Sequence, residues 1–351
     1  MSAQRPKGAH LNGSVPLENT EVVFRTVSST LGDRLRRLPD GETGVRSNWI
    51  GFQSGVFKAT GQFDLVPPDP KAYAPLPLFT PKEGVDGRQI KLGRLGYADA
   101  AKASYETFAA LKREGKIQPS ARFQVSLPTP LAPVAAFVTP TAVAAVEPTY
   151  EAALLKELDE IIDAVPHDEL AIQWDAAVEF GMLEGVWPVA FKDVRKEVLD
   201  RLVRIGNHVP TDVELGYHLC YGDAGHRHFI EPADMSKLVD IANAVTARVK
   251  RPVQWISMPV PRNRSDDAYF APLKDLRLPP ATELYLGLVH ITDGAEGTER
   301  RIEAAQRATD RPFGVATECG LGRRPPETIP ELLRIHAEVS DPVGEPAKPR
   351  V

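Results

Sequence analysis

At 351 residues the chain is long enough for one large α/β barrel or two medium domains, and 42 % hydrophobic with 25 % charged residues is the make-up of a globular chain with a sizeable core. A formal net charge of −5, without a dense Lys/Arg block, excludes the concentrated basic surface that nucleic acid or an anionic membrane needs, so the expected partners are small molecules. Neither an apolar run of membrane-spanning length nor a charged-then-apolar N-terminal pattern occurs, and the two cysteines are too few for a disulfide framework. A reducing, cytoplasmic location is therefore expected.

Short apolar runs alternate with stretches of helical period, the pattern of βαβ units around a parallel sheet. The expected strands are 9–13, 35–39, 122–127, 170–175, 214–220, 253–258, 283–290 and 313–319, about eight units, which is the count of a (β/α)8 TIM barrel. The Pro-, Gly- and aromatic-rich stretch 48–98 interrupts the rhythm after the second strand and reads as an insertion covering the active rim. The clearest helix is 150–164, where Leu154, Leu155, Leu158, Ile161 and Ile162 form one stripe; 192–205, 233–249, 298–308 and 327–339 follow. One barrel over 1–341 and a disordered tail over 342–351 complete the expected organisation.

His218 and Cys220 stand two apart on the fifth expected strand, so their side chains point the same way, and Cys319 ends the eighth. Singly, each reads as a small buried hydrophobe or a satisfied histidine. Jointly, they are an imidazole and two thiolates at the rim where barrel enzymes keep their sites, which is a donor set for Zn²⁺ with one position left open for substrate. A thiol bound there would be deprotonated and nucleophilic, which points to alkyl transfer to sulfur.

Tyr217-His218-Leu219-Cys220-Tyr221 is similar to the His-Met-Cys-Tyr segment of the cobalamin-independent methionine synthases, and Glu318-Cys319-Gly320-Leu321 resembles their Asp-Cys-Gly-Leu segment. Ile172-Gln173-Trp174-Asp175 resembles their Ile-Gln-Ile-Asp strand, Leu288-Val289-His290 a strand ending in His, and Gly13-Ser14-Val15-Pro16 their Gly-Ser-Phe-Pro entry. In order and extent, up to Arg324, these anchors resemble the catalytic C-terminal half of that family, within the uroporphyrinogen decarboxylase-like barrel superfamily. The resemblance implies zinc on His218, Cys220 and Cys319, proton delivery by His290, a substrate amino group on Asp175 and a substrate carboxylate beside Ser14.

Two departures accompany it. The next strand, Gln254-Trp255-Ile256-Ser257-Met258-Pro259, lacks the family's fourth ligand, a Glu, leaving a three-coordinate site as in coenzyme M methyltransferase relatives or one completed by Glu231 or water. Ala176-Ala177 replaces the family's Glu-Pro after Asp175. Without a separate N-terminal barrel in this sequence, the full folate-dependent synthase reaction is not expected.

Further expected substrate contacts are Asp40 and Arg46 in the turn after the second strand, His228 and Glu231 in the histidine-rich loop after Cys220, and Tyr217 and Glu318 flanking the ligands. His10, His167, His208 and His336 lie away from these anchors and read as structural. The leading functional expectation is zinc-dependent methyl or alkyl transfer from a small donor to a substrate thiol. A zinc Lewis-acid lyase or hydrolase on the same site, and a non-catalytic small-molecule-binding barrel, are the other readings.

Overall fold

The computed structural model describes residues 5–69, 73, 75–189 and 191–344. Helix α1 (Thr20–Leu31), capped by Asn19 accepting from the Val22 N–H, leads into strand β1 (Arg37–Pro39). The 48–98 stretch forms α2 (Gln53–Ala59) and an antiparallel pair, β2 (Phe63–Val66) with β3 (Leu78–Pro81). The next elements are α3 (Tyr97–Arg113), β4 (Arg122–Pro128), α4 (Leu131–Phe137), α5 (Val143–Ala164), β5 (Leu170–Ala176), α6 (Val178–Leu183), α7 (Val194–His208) and β6 (Glu214–Leu219). The chain continues through α8 (Ser236–Arg248), β7 (Trp255–Pro259), α9 (Asp267–Phe270), β8 (Glu283–Gly287), α10 (Gly294–Ala308), β9 (Gly314–Val315) and α11 (Ile329–Val339).

Seven strands form one curled parallel sheet in the order β1-β4-β5-β6-β7-β8-β9. Ala9 bridges in parallel to Leu35 beside one edge and to Val315 at the other. The expected strand 9–13 is thus reduced to isolated bridges, because Gly8 (φ 82°) and Gly13 (φ 135°) turn the chain out of an extended run. Similarly, β9 is shorter than the expected 313–319, since the chain leaves the ladder to place Cys319.

The strands are buried on both faces, as a parallel sheet covered by helices requires; β5 is buried at every position. One face packs under the helices. The other faces inward and is partly polar: Gln173 Oε1 lies 2.7 Å from His10 Nε2 and accepts from Trp255 Nε1 at 3.2 Å, while the Arg37 guanidinium sits 4.1 Å over the Trp255 ring and pairs with Glu214 and Glu283. Burial lowers His10 to about 3, so its imidazole is neutral in this network.

Helices α1 and α3 are not among the expected elements, although α1 buries the stripe Val23, Phe24, Val27 and Leu31 and α3 buries Ala101, Ser104, Phe108 and Leu111. Helix α5 begins seven residues before the expected 150, its first turns hidden by Pro148. Within the expected tail, the Val343 N–H donates to Asp33 O (3.0 Å) and its carbonyl accepts from Arg36 (3.1 Å), so this part is anchored; 345–351 lie outside the described residues. No helix among the described residues is long and apolar enough to cross a membrane.

Candidate metal centre

Strand register sets the site. The β5–β6 ladder pairs Asp175 with His218, and the β6–β7 ladder pairs His218 with Ser257, so these three side chains point inward at one level. Cys220 lies two residues beyond His218, its N–H still bonded to Ala176 O (2.9 Å). Cys319 arrives from the loop after β9. The donor atoms of His218, Cys220 and Cys319 all lie within 4.8 Å of one another, and the two sulfurs are 3.6 Å apart.

Short bonds hold that loop in place. Asn12 Nδ2 donates to Thr317 O (2.9 Å), and Asn12 Oδ1 accepts from Ser257 Oγ (2.8 Å). Ser14 accepts at its carbonyl from the Leu321 N–H (2.7 Å) and at Oγ from the Gly322 N–H (3.1 Å). Gly320 is required by this contact: a Cβ there would lie 2.3 Å from Ser14 Oγ.

The donor set fits a zinc ion. Zn–S bonds of roughly 2.3 Å in a tetrahedron separate two sulfurs by about 3.8 Å, close to the observed spacing. The Cys220 sulfur and burial together push the Cys319 thiol well up, so without a cation this thiol holds its proton. His218 donates from Nδ1 toward Asp175 Oδ1 at 3.2 Å, while its Nε2 lies 3.3 Å from Glu318 O and would exchange that contact for a metal; Asp175 is itself held by Gln173 Nε2 (2.8 Å). Burial alone would lower His218, but the bond and charge of Asp175 outweigh it and leave the imidazole raised.

A cavity of about 190 Å³ opens over the three donors. Its wall includes Asn12, Ser14, Asp175 and Asp223, together with Trp49, Phe137, Trp187 and Phe229. Asn48 to Gly51, Tyr73 and Leu76 of the 48–98 stretch also line it.

The other expected residues fall in different places. Tyr217 is buried on the opposite face of β6 from His218, its hydroxyl donating to Leu202 O (2.9 Å); alternation along the strand removes it from the cavity, correcting the expected substrate contact. Asp40 is spent on Arg46 (2.6 Å), Ser104 (2.7 Å) and the Glu42 N–H (2.9 Å), and neither Asp40 nor Arg46 lines the cavity. His290 donates from Nε2 to Val260 O (2.9 Å) and also lies outside the lining. Its Nδ1 faces Glu318 at 3.8 Å, and burial lowers it to about 4. Glu231 is exposed and 3.4 Å from His228, away from the three donors, which removes it as a fourth ligand.

Glu318 forms a buried charge cluster beside the site with His228 (3.1 Å) and Arg324 (3.5 Å). Burial would raise its carboxyl, but His228, His290 and Arg324 together hold it down at about 2.

Two lining carboxyls were not singled out from the sequence. Glu42, at φ 48°, is raised to about 8 by burial and then by the nearby Asp175. Asp223 is buried with no hydrogen-bond partner on either oxygen, and burial followed by Glu318 raises it to about 6. The positive φ at Glu42 belongs to the Asp-Gly-Glu-Thr-Gly turn, the one local signal that could have marked it.

A curled parallel sheet with helices outside, and an imidazole–dithiol cluster beyond the strand C-termini, defines the class of the protein as an α/β fold with its site at the strand-end rim. The sequence matches no protein-family model and no curated protein. Among solved structures, the chain is similar to a B12-independent methionine synthase from a Shewanella species in complex with selenomethionine, at 14 % identity and TM-score 0.55 over 96 % of this chain and 98 % of that one. It is also similar to a methyltransferase from Methanosarcina mazei, at 13 % identity and TM-score 0.50 over 95 % and 94 %. The chain thus has the fold of B12-independent methionine synthases, as its sequence anchors imply.

Proposed function

We propose that this chain transfers an alkyl group, methyl in the simplest case, to the sulfur of a small thiol, with zinc held by His218, Cys220 and Cys319. The observation that carries this reading is the convergence of one imidazole and both cysteines of the chain beneath a cavity walled largely by apolar side chains. The fold shared with a methionine synthase and a methyltransferase supports it. In the same reading residues 9–13 close the ring as the first strand of a (β/α)8 barrel, with 48–98 as its cover. The free thiols suit a reducing, cytoplasmic setting.

When bound, zinc supplies the positive charge that keeps a coordinated thiol ionised and nucleophilic at neutral pH. The residues of the chain do the rest. Asp175 fixes the His218 ring, Asn12 and Ser14 fix the loop carrying Cys319, and Trp49 with Phe137 excludes water. Asp223, lining the cavity with both oxygens unbonded, is available to take the S–H proton. A new S–C bond forms as the donor's bond to its leaving group breaks, and the leaving group departs with the bonding pair.

Metal analysis of the purified protein tests the centre. About one equivalent of zinc is expected, as for a site with three protein ligands, and Cys220→Ser should lose most of it. Zinc below about a tenth of an equivalent, unchanged in Cys220→Ser, would refute the centre. Mass detection of a thioether after incubation with iodomethane and a thiol, faster than with Cys220→Ser, tests the chemistry.

A further inference from the structure

The wall of the cavity says what kind of thiol it takes, given the alkyl-transfer reading above on which this inference rests. Trp49, Leu76, Phe137, Val178, Trp187 and Phe229 present aromatic and aliphatic surface around the space over the metal donors. Ala177, directly after β5, adds a methyl to the same wall. A cavity of about 190 Å³ with such a lining is larger than the roughly 150 Å³ apolar cavity that takes up benzene.

Apart from Asp223, the charged groups that an amino-acid substrate would need are already engaged or neutral. Asp175 Oδ1 receives Gln173 at 2.8 Å and His218 at 3.2 Å. Among the described lining residues Arg323 is the one Lys or Arg, and its guanidinium lies 4.0 Å from Asp223, whose charge it balances. Glu42, raised to about 8 by burial, is uncharged at neutral pH and offers no anion. A carboxylate brought into this space would give up its water without gaining a dedicated partner, and an ammonium would meet only Asp223, which already faces Arg323, whereas an apolar group gains by leaving water.

We propose that the acceptor is a thiol bearing an uncharged apolar substituent of aryl or branched-alkyl size, not an amino-acid thiol. Trp49 and Phe137 would flank the substituent while its sulfur reaches the His218, Cys220 and Cys319 cluster.

Cobalt(II) substitution makes the test direct, because a thiolate joining the ion adds a sulfur-to-cobalt absorption band. The cobalt protein is titrated with phenylmethanethiol, homocysteine and cysteamine. Phenylmethanethiol is expected to reach half-saturation at a concentration at least tenfold below the other two. Equal or tighter binding of homocysteine or cysteamine overturns the apolar assignment while leaving the thiol reading intact.

A parallel titration with phenylmethanol, read by the fluorescence of Trp49 and Trp187, needs no sulfur. Saturable quenching by phenylmethanol, with no cobalt band from any thiol, would sink the thiol reading yet support recognition of an aryl group; absence of both overturns the inference as well. Val178→Asp places an acid at the first residue of α6, where a helix tolerates it, and should weaken phenylmethanethiol and phenylmethanol at least tenfold. Trp187→Ala, at a partly exposed position, should weaken both in the same direction. Unchanged affinity in both variants would remove the wall from the recognition and overturn the proposal.

Discussion

Asp175 and His218 face each other across adjacent parallel strands at one level of the sheet, with Oδ1 3.2 Å from Nδ1. The pairing makes the carboxylate an orienting group for the imidazole, so in the proposed zinc centre part of the metal-binding strength would reside in a residue that touches no metal. Asp175→Asn keeps the shape and removes the charge. It should lower zinc affinity by about 10- to 100-fold, as loss of a ligand's supporting carboxylate generally does, measured by competition with a chromophoric chelator. An affinity equal to that of the parent would show that the pair is incidental.

Gly320 and Ser14 are in equally close contact. A methyl at 320 would overlap Ser14 Oγ, so Gly320→Ala should shift the Cys319 loop, cost about 1–3 kcal/mol of stability and reduce bound zinc. Ser14→Ala removes the overlapping oxygen, and the double variant should recover part of the loss. Additive denaturation midpoints across the four proteins would contradict this coupling.

Glu42 gives the protein a pH dependence of definite sign. Its carboxyl is raised in the fold from 4.5 to about 8, so between those values the folded state holds a proton that the unfolded chain has released. Stability from this group is fully present below about pH 4.5 and is lost as pH rises through about 8. Glu42→Gln should match the parent near pH 4.5 and exceed it by up to a few kcal/mol above pH 8. Parallel melting curves for the two proteins across that window would exclude a buried, proton-holding Glu42.

Tyr217 offers a contrast to its neighbour His218. Its hydroxyl bonds Leu202 O beneath α7, so Tyr217→Phe should cost about 0.5–1.5 kcal/mol in chemical denaturation while leaving zinc content and thiol affinity at parent values. A loss of thiol binding without loss of stability would put the side chain in the cavity.

By itself the sequence determined the order of most strands and the identity of the cluster, because both are local or compositional. Apolar runs mark β4 to β8, and a His two residues from a Cys on one strand must point the same way. With only one other cysteine in the chain, Cys319 was the remaining thiol. The third dimension decided what those residues meet. The alternation that joins His218 to Cys220 also removes Tyr217, but assigning Asp175 to His218 needed the register between strands 43 residues apart in sequence. Asp40 and Arg46 look like ligand-binding groups until folding pairs them, and Glu42 looks like a turn residue until folding buries it. Hydrogen bonds and desolvation depend on neighbours distant in the chain, and a linear pattern records which side chains exist without recording which of them have already found partners.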